Sequence, residues 1–516
     1  MCGSGWPANL NWVAGAVLAL AFLLRLKAAL GTFLNPDEAL HFLIVNQPTL
    51  GGAYRASLTS AHPPLYFVLL YFWRFTASSE VMLRFPSVLA GTAAAWFVFQ
   101  WVRTVLGTTA GLVALILTAF APPLIGLSAE VRGYAILLLF LAASLYFAER
   151  VFRERTSVAV ARYSLFFYLA IVTHYSALWF AMAMGIYFLL RIRELPTKIA
   201  ALWAAFQVGA AAVYGVLYVT HISKINGSAM QSEAMNGWLQ ALYFTPGQKS
   251  VGQFLFRNTG ELFDYLFAHP IGGIIASLVF GFSVLRILSG TDRGNVHAPR
   301  AFWALLVLPF LINGIAALEG LYPYGGTRHC IYLILFTIAG VSYALAQATN
   351  SKVWPVLGLA ALILPVWHLK ALRPAQQMPA ESQRLSLMND AIVYLRQSAP
   401  AEGPIFTDDQ ARGLLSYYLG RDTVPRIAES CDGFRDERYG QYRVISHPAW
   451  QVKSSELFNA LDQWRRDCRD QLSVAWVFVG GFEEVTLAGF ERAPIKLVSD
   501  ERRFGEALSV FRLSLP

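Results

Sequence analysis

"HPPLYFVLLYFWRF", residues 62–75, is the stretch on which the fold turns. Its apolar core is about 14 residues long and ends at Arg74, short of the roughly 20 that a helix needs to cross hydrocarbon. An interfacial or re-entrant helix is therefore expected here, not a span. The decision matters because every later apolar run takes its direction from it.

Those runs lie at 12–30, 81–105, 110–127, 134–152, a pair over 163–190, 199–219, 270–288, 301–318, 331–348 and 353–369. Together they predict a polytopic α-helical membrane protein of about eleven spans. Composition agrees: of 516 residues, 56% are hydrophobic and only 14% charged, where soluble chains carry nearer a quarter. If 62–75 stays on one side, Arg103, then Arg150, Arg153 and Arg155, then Arg191, Arg193 and Lys198, then Arg286, Arg293 and Arg300, and finally Lys352 all fall on the other. Cationic connections stay cytoplasmic, so that side is the cytoplasm. Let 62–75 cross, and every later cluster moves to the wrong face. The net charge of +9 is thus read as orientation of spans; nucleic acid is not expected as a partner.

The outer face then receives 31–80, "SAEVRGYA" around Glu130, "THYS" at His174, the segment 220–267, "EGLYPYGGTRH" and everything after residue 372. Two domains are expected: a membrane body, 1–372, whose first outer loop spans 31–80, and a water-soluble α/β domain, 373–516. In the latter, "QRLSLMNDAIVYLRQ" and "SSELFNALDQWRRDCRD" have helical periodicity, while "GPIFTDD" and "SVAWVFVGGF" read as strands. Asp408 and Asp409 read as a strand-end turn. Cys431 and Cys468 can pair if this domain faces an oxidising compartment. No cleavable signal is expected, because no positive region precedes the first apolar stretch.

The unusual chemistry is on that outer face. "NPDEALHF", residues 35–42, places Asp37 and Glu38 beside the bilayer, where ionised carboxylates are paired, hydrated or functional. The plain account is capping: Asn35 as N-cap, Pro36 at the first helical position, acids facing the positive end of the dipole. Capping does not explain a second acid, Glu130, beside Arg132 in another outer connection, nor Arg25 and Lys27 at the outer end of the first span. These two cations either snorkel to the headgroups or bind an anion. Acids from separate loops with cations nearby suit glycosyl transfer from a phosphate-linked donor, in which a carboxylate takes the acceptor's proton and guanidinium neutralises the leaving phosphate. A divalent metal at Asp37, His41 and His62 is the competing reading, since Asp37 and His41 are four apart on a helix.

The acid pair, "HPPLY", "RFPSVLAG", "SAEVRGYA" and "THYS", in that order, resemble the GT-C superfamily of membrane glycosyltransferases. The nearest branch is the family 39 type, with the protein O-mannosyltransferases, the aminoarabinose transferases of lipid A and the rhizobial galacturonosyltransferases. The resemblance is strong over residues 12–190, looser through "GGTRHCIYLILF", and architectural beyond. It implies an inverting hexosyl- or pentosyltransferase that moves a sugar from a polyprenyl-phosphate donor to a lipid, glycan or protein acceptor at the outer face of a prokaryotic inner membrane. It implies no obligatory cofactor. Carried over, Asp37 is the general base and Glu38 supports it or positions the acceptor. Glu130 supports the base or binds metal or acceptor. His62, Arg132, Tyr134, His174 and Tyr175 line the cavity, and Arg328 with His329 holds the carrier phosphate near Arg25 and Lys27. Two positions depart from the family: Gly133 stands where many relatives have proline, and His329 where the late motif has tyrosine.

A flippase for lipid-linked sugars and a membrane-anchored binding protein are the rivals. Transporters keep ionisable groups near the midplane on broken helices, often in paired repeats, and no repeat is visible here. Cysteine labelling from outside intact cells is expected to reach both Asp37→Cys and Glu130→Cys; labelling of one alone breaks the topology.

Overall fold

The computed structural model describes residues 8–225, 229–290, 299, 301–347, 382–398, 403–421, 426–431, 433–450, 452, 454–468, 474–481 and 500–514. The chain divides into two compact units, each treated separately below. One is Met1–Ala28, Leu58–Tyr66 and Arg84–Ala375; the other is Ala29–Ser57, Phe67–Leu83 and Gln376–Pro516. The first outer loop, expected with the membrane body, thus falls largely into the second unit.

Helices dominate the first unit. α1 is Ala8–Ala29; α2 (Pro36–Val45) and α3 (Leu50–Ser57) lie in the second unit; α4 is Leu65–Trp73. Then come α5 (Glu80–Leu106), α6 (Thr108–Phe120), α7 (Pro122–Ser128), α8 (Tyr134–Glu154), α9 (Ser157–Ile171), α10 (Ala177–Arg191) and α11 (Thr197–Leu217). After the short α12 (Ser223–Ile225) and α13 (Ala229–Asn236) follow α14 (Val251–Phe267), α15 (Pro270–Ser289), α16 (Phe302–Leu318) and α17 (Ile334–Gln347). At nine residues α4 is about 14 Å long, under half the thickness of hydrocarbon.

Among the described residues, six helices are long and apolar enough to cross a membrane, seven if α6 and α7 count as one. That is fewer than the eleven expected. The span expected at 110–127 bends by 58° between α6 and α7, where Pro122 and Pro123 start a new helix. α9, α10 and α16 have 15, 15 and 17 residues, short of the usual crossing length. The span expected at 353–369 lies outside the described residues, as do Arg293, Arg300 and Lys352.

Position within the bundle follows from burial. The Arg328–Gln347 segment is 94% buried over its most apolar window and forms the centre, while Thr197–Ile225 is 11% buried and presents Val208, Val216 and Val219 outward as a lipid-facing side would. Charges inside are partnered. Arg191 at the end of α10 meets Glu149 of α8 at 2.9 Å, and Tyr187 donates to the same carboxylate at 2.6 Å.

The second unit carries α18 (Leu385–Ser398), α19 (Asp409–Gly420), α20 (Ser454–Cys468) and a seven-stranded sheet. Its strands are β1 (Ile405–Thr407), β2 (Arg426–Cys431), β3 (Phe434–Tyr439), β4 (Tyr442–Ser446), β5 (Val474–Gly480), β6 (Asp500–Phe504) and β7 (Leu508–Ser514), in the order β2-β3-β4-β1-β5-β7-β6. β1 is parallel to both β4 and β5; the other pairs are antiparallel. The helices and strands expected from "QRLSLMNDAIVYLRQ", "SSELFNALDQWRRDCRD", "GPIFTDD" and "SVAWVFVGGF" are α18, α20, β1 and β5. Asp408 ends the turn after β1 and caps α19, accepting the Ala411 N–H at 2.8 Å. Burial pushes its carboxyl up to about 6, against the two backbone N–H groups, Ala411 and Val452, that it accepts. Cys431 and Cys468 form a disulfide that ties β2 to α20. Replacing both by Ser is expected to cost about 2–4 kcal/mol, read as a lower denaturation midpoint of the purified protein.

Candidate functional site

In the second unit, α2 begins with a complete capping box. Asn35 Oδ1 accepts the Glu38 N–H at 3.0 Å and Glu38 Oε2 accepts the Asn35 N–H at 2.9 Å, with Pro36 in the first turn. Glu38 is fully buried by this role, while Asp37 in the same turn is half-buried. His41 Nδ1–H donates to the Asp37 carbonyl at 2.6 Å and its ring stacks on Phe67 at 5.1 Å. One of the two His41 nitrogens expected as a metal ligand is therefore spent on backbone. Among the described residues, no group of three or more His, Cys, Asp or Glu side chains could hold a metal ion.

In the first unit, several connections converge. The Leu65 N–H donates to the Val172 carbonyl at 3.2 Å, which sets the "HPP" turn against "THYS". The His62 and His174 rings are then 5.1 Å apart, Tyr134 lies 5.1 Å from His174 and 6.0 Å from His62, and His329 meets the Tyr134 edge at 6.4 Å. Tyr134 opens α8, so "EVRGY" delivers Glu130 and Arg132 to the same place. Both are buried, and the Arg132 guanidinium sits 5.5 Å from the Tyr134 ring. Gly133 has φ −74°, a value proline adopts, so the departure from the family's proline leaves the backbone path open.

Arg328 and His329 start a 3₁₀ turn, Arg328–Leu333. A Cβ on Gly326 would meet the Glu261 carbonyl of α14 at 2.6 Å, so glycine lets this loop press on α14. There Tyr265 feels both Arg328 and Glu130: burial and the carboxylate push its hydroxyl above the usual range, and Arg328 opposes them. His329 is fixed by Thr327 Oγ1 at 2.9 Å and packs on Trp238 at 5.6 Å.

His174 has an assignable tautomer. Its Nδ1 accepts the Ser176 N–H at 3.1 Å, so the proton is on Nε2. Burial, helped by the Arg132 charge, pushes this imidazole down to about 3, and it is neutral at physiological pH. Nε2 of His174 and the hydroxyl of Tyr134 are buried and have no hydrogen-bond partner among the described residues. They are donors with capacity left for an oxygen-rich ligand. Tyr175 donates to His221 Nδ1, and His221 Nε2–H donates to the Ser60 carbonyl at 2.8 Å.

Arg25 takes another course. It is fully buried and donates to the Ala21, Thr118 and Ala119 carbonyls at 3.1, 3.0 and 3.2 Å, so it neither snorkels nor presents itself to an anion. Lys27, two residues on, is exposed. Sequence reasoning missed Tyr265, Trp238 and His221. Only the π-helical turn Tyr218–Ile222 distinguishes His221, and such turns favour functional sites.

Residues 61–218 match the family described as dolichyl-phosphate-mannose-protein mannosyltransferase. No curated protein matches the chain. Among solved structures, it is similar to the Archaeoglobus fulgidus oligosaccharyltransferase in the apo form, 11% identical with a TM-score of 0.51, over 90% of this chain and 69% of that one. It is similar to the arabinofuranosyltransferase AftD from Mycobacteria, 13% identical with a TM-score of 0.50, over 98% of this chain and 40% of that one. It is also similar to the Saccharomyces cerevisiae protein O-mannosyltransferase Pmt1-Pmt2 complex bound to the sugar donor, 15% identical with a TM-score of 0.35. That likeness covers 42% of this chain and 34%, about a third, of the yeast one. The protein is a multi-pass membrane protein whose fold is that of the GT-C superfamily of membrane glycosyltransferases. The match to the mannosyltransferase family covers residues 61–218, under a third of the chain.

A folded-state imidazole held neutral loses its advantage once the unfolded chain can protonate. Stability from His174 is therefore expected to fall as pH drops from 6.5 towards 3. The thermal midpoint of His174→Gln should depend less on pH over that window than that of the wild type.

Proposed function

We propose that the protein is an inverting glycosyltransferase that moves a sugar from a polyprenyl-phosphate-linked donor to a lipid, glycan or protein acceptor. The observation that carries this reading is the gathering of buried Glu130, Arg132, Tyr134, His174 and Arg328, with half-buried His62, from separate connections of a GT-C fold. Guanidinium, imidazole N–H and phenol O–H together suit an anionic, oxygen-rich headgroup.

In this reading the acceptor oxygen attacks the anomeric carbon while the bond from that carbon to the phosphate oxygen breaks, and the lipid phosphate departs with the electron pair. Asp37 takes the acceptor's proton. Arg328 and Arg132 balance the charge on the leaving phosphate, with Tyr134 and His174 donating to the headgroup. Glu38 acts on Asp37 through the capping box. Such proton transfer contributes about 10²–10⁴-fold.

The active face is the outer one, periplasmic or extracellular at a prokaryotic inner membrane. The charge distribution and the Cys431–Cys468 disulfide support that side. With α6 and α7 as one crossing, the three shorter helices bring the described residues to ten crossings, and the described residues from 382 onward form an outer α/β domain.

With undecaprenyl-phosphate mannose as the test donor, Asp37→Asn is expected to lower turnover about 10²-fold or more and leave the fold intact. A folded Asp37→Asn protein with wild-type turnover removes the base assignment. A chelator should leave the rate unchanged, since arginines supply the positive charge; a loss reversed by manganese would add an ion to the site.

A further inference from the structure

Within the second unit, α2 is held along one face and at its N-terminal approach. Gly413 of α19 faces Ala39, and a Cβ there would lie 3.5 Å from the Ala39 Cβ and 3.6 Å from the Leu40 nitrogen. One turn on, the Tyr417 ring stands edge-on to Phe42 at 4.9 Å, and its hydroxyl donates to the Ser78 carbonyl at 2.7 Å. Its neighbour's hydroxyl, on Tyr418, accepts the Leu34 N–H at 3.0 Å, one residue before the capping box. Gln383 and Phe33 exchange two bonds: Phe33 N–H to the Gln383 carbonyl at 2.9 Å, and Gln383 Nε2 to the Phe33 carbonyl at 2.7 Å. α19 itself is immobilised, because Asp408 caps it and its buried Arg412 bridges Asp409 at 2.7 Å and Glu437 of β3 at 3.3 Å.

We infer that the Gly413, Tyr417 and Tyr418 face of α19 is a positioning element that fixes the register and axial rotation of α2, and thereby the carboxylate of Asp37. The inference rests on Asp37 as the base. It gives these C-terminal residues a task in catalysis, although the carboxylate and the helix that orients it are about 375 residues apart in the chain. These α19 residues touch no substrate in this scheme. They act through α2, so their loss should lower kcat and spare the donor KM.

The test uses the full-length protein in detergent, with two readouts on the same preparations: amide hydrogen exchange of residues 36–45, and turnover of undecaprenyl-phosphate mannose. Gly413→Leu and Tyr418→Phe are expected to speed exchange across α2 at least tenfold and to lower kcat about tenfold or more with KM within twofold. Gly413→Ala, whose methyl makes ordinary contact, should keep α2 protected and at least half of the turnover. Wild-type protection of α2 in both Gly413→Leu and Tyr418→Phe overturns the inference, as does a loss in KM alone. Asp37→Asn separates the two claims: it should abolish turnover while α2 exchange stays at the wild-type rate. If Asp37→Asn turns over normally, the base assignment falls, and the exchange data alone decide whether α19 holds α2.

Discussion

An ionised side chain left bare in hydrocarbon is too costly to keep, and the first unit is arranged around that cost. Arg25 answers it by turning inward to three backbone carbonyls beside the α6–α7 bend. Arg191 answers it with Glu149 and Tyr187. Glu130, Arg132, His174 and Arg328 lie in short connections or at helix starts, so a membrane protein with few charges brings several of its ionisable groups together there. The cluster around Tyr134 follows from this constraint.

Within that cluster the chemistry is graded. Arg132 and Arg328 are fixed positive charges, Glu130 a buried acid, and His174 a neutral donor whose Nδ1 is committed to Ser176. A neutral imidazole presents a directional N–H without adding charge, which suits a ligand carrying hydroxyls as well as phosphate. The second unit contributes differently. Its capping box buries Glu38 and leaves Asp37 half-exposed at the helix start, so two adjacent acids of the same sequence motif have unlike surroundings.

The α2 start was legible because every partner lies within three residues: Asn35, Pro36 and Glu38 carry the cap in their own order. The short helix in residues 62–75 was legible for the same local reason, a length too small to cross. Span counting did worse where geometry departs from composition. Residues 110–127 read as one apolar run, yet two prolines split them, and α9, α10 and α16, at 15, 15 and 17 residues, fall short of a crossing length.

Residue order alone determined the membrane class and the capping of α2. These follow from transfer cost and from hydrogen bonds that close over a single turn. Tertiary structure decided that Arg25 faces carbonyls some 93 residues away, that Tyr175 meets His221, and that α19 packs on α2. Each of those depends on a partner brought near by packing, and no local pattern encodes which distant backbone group or ring will arrive.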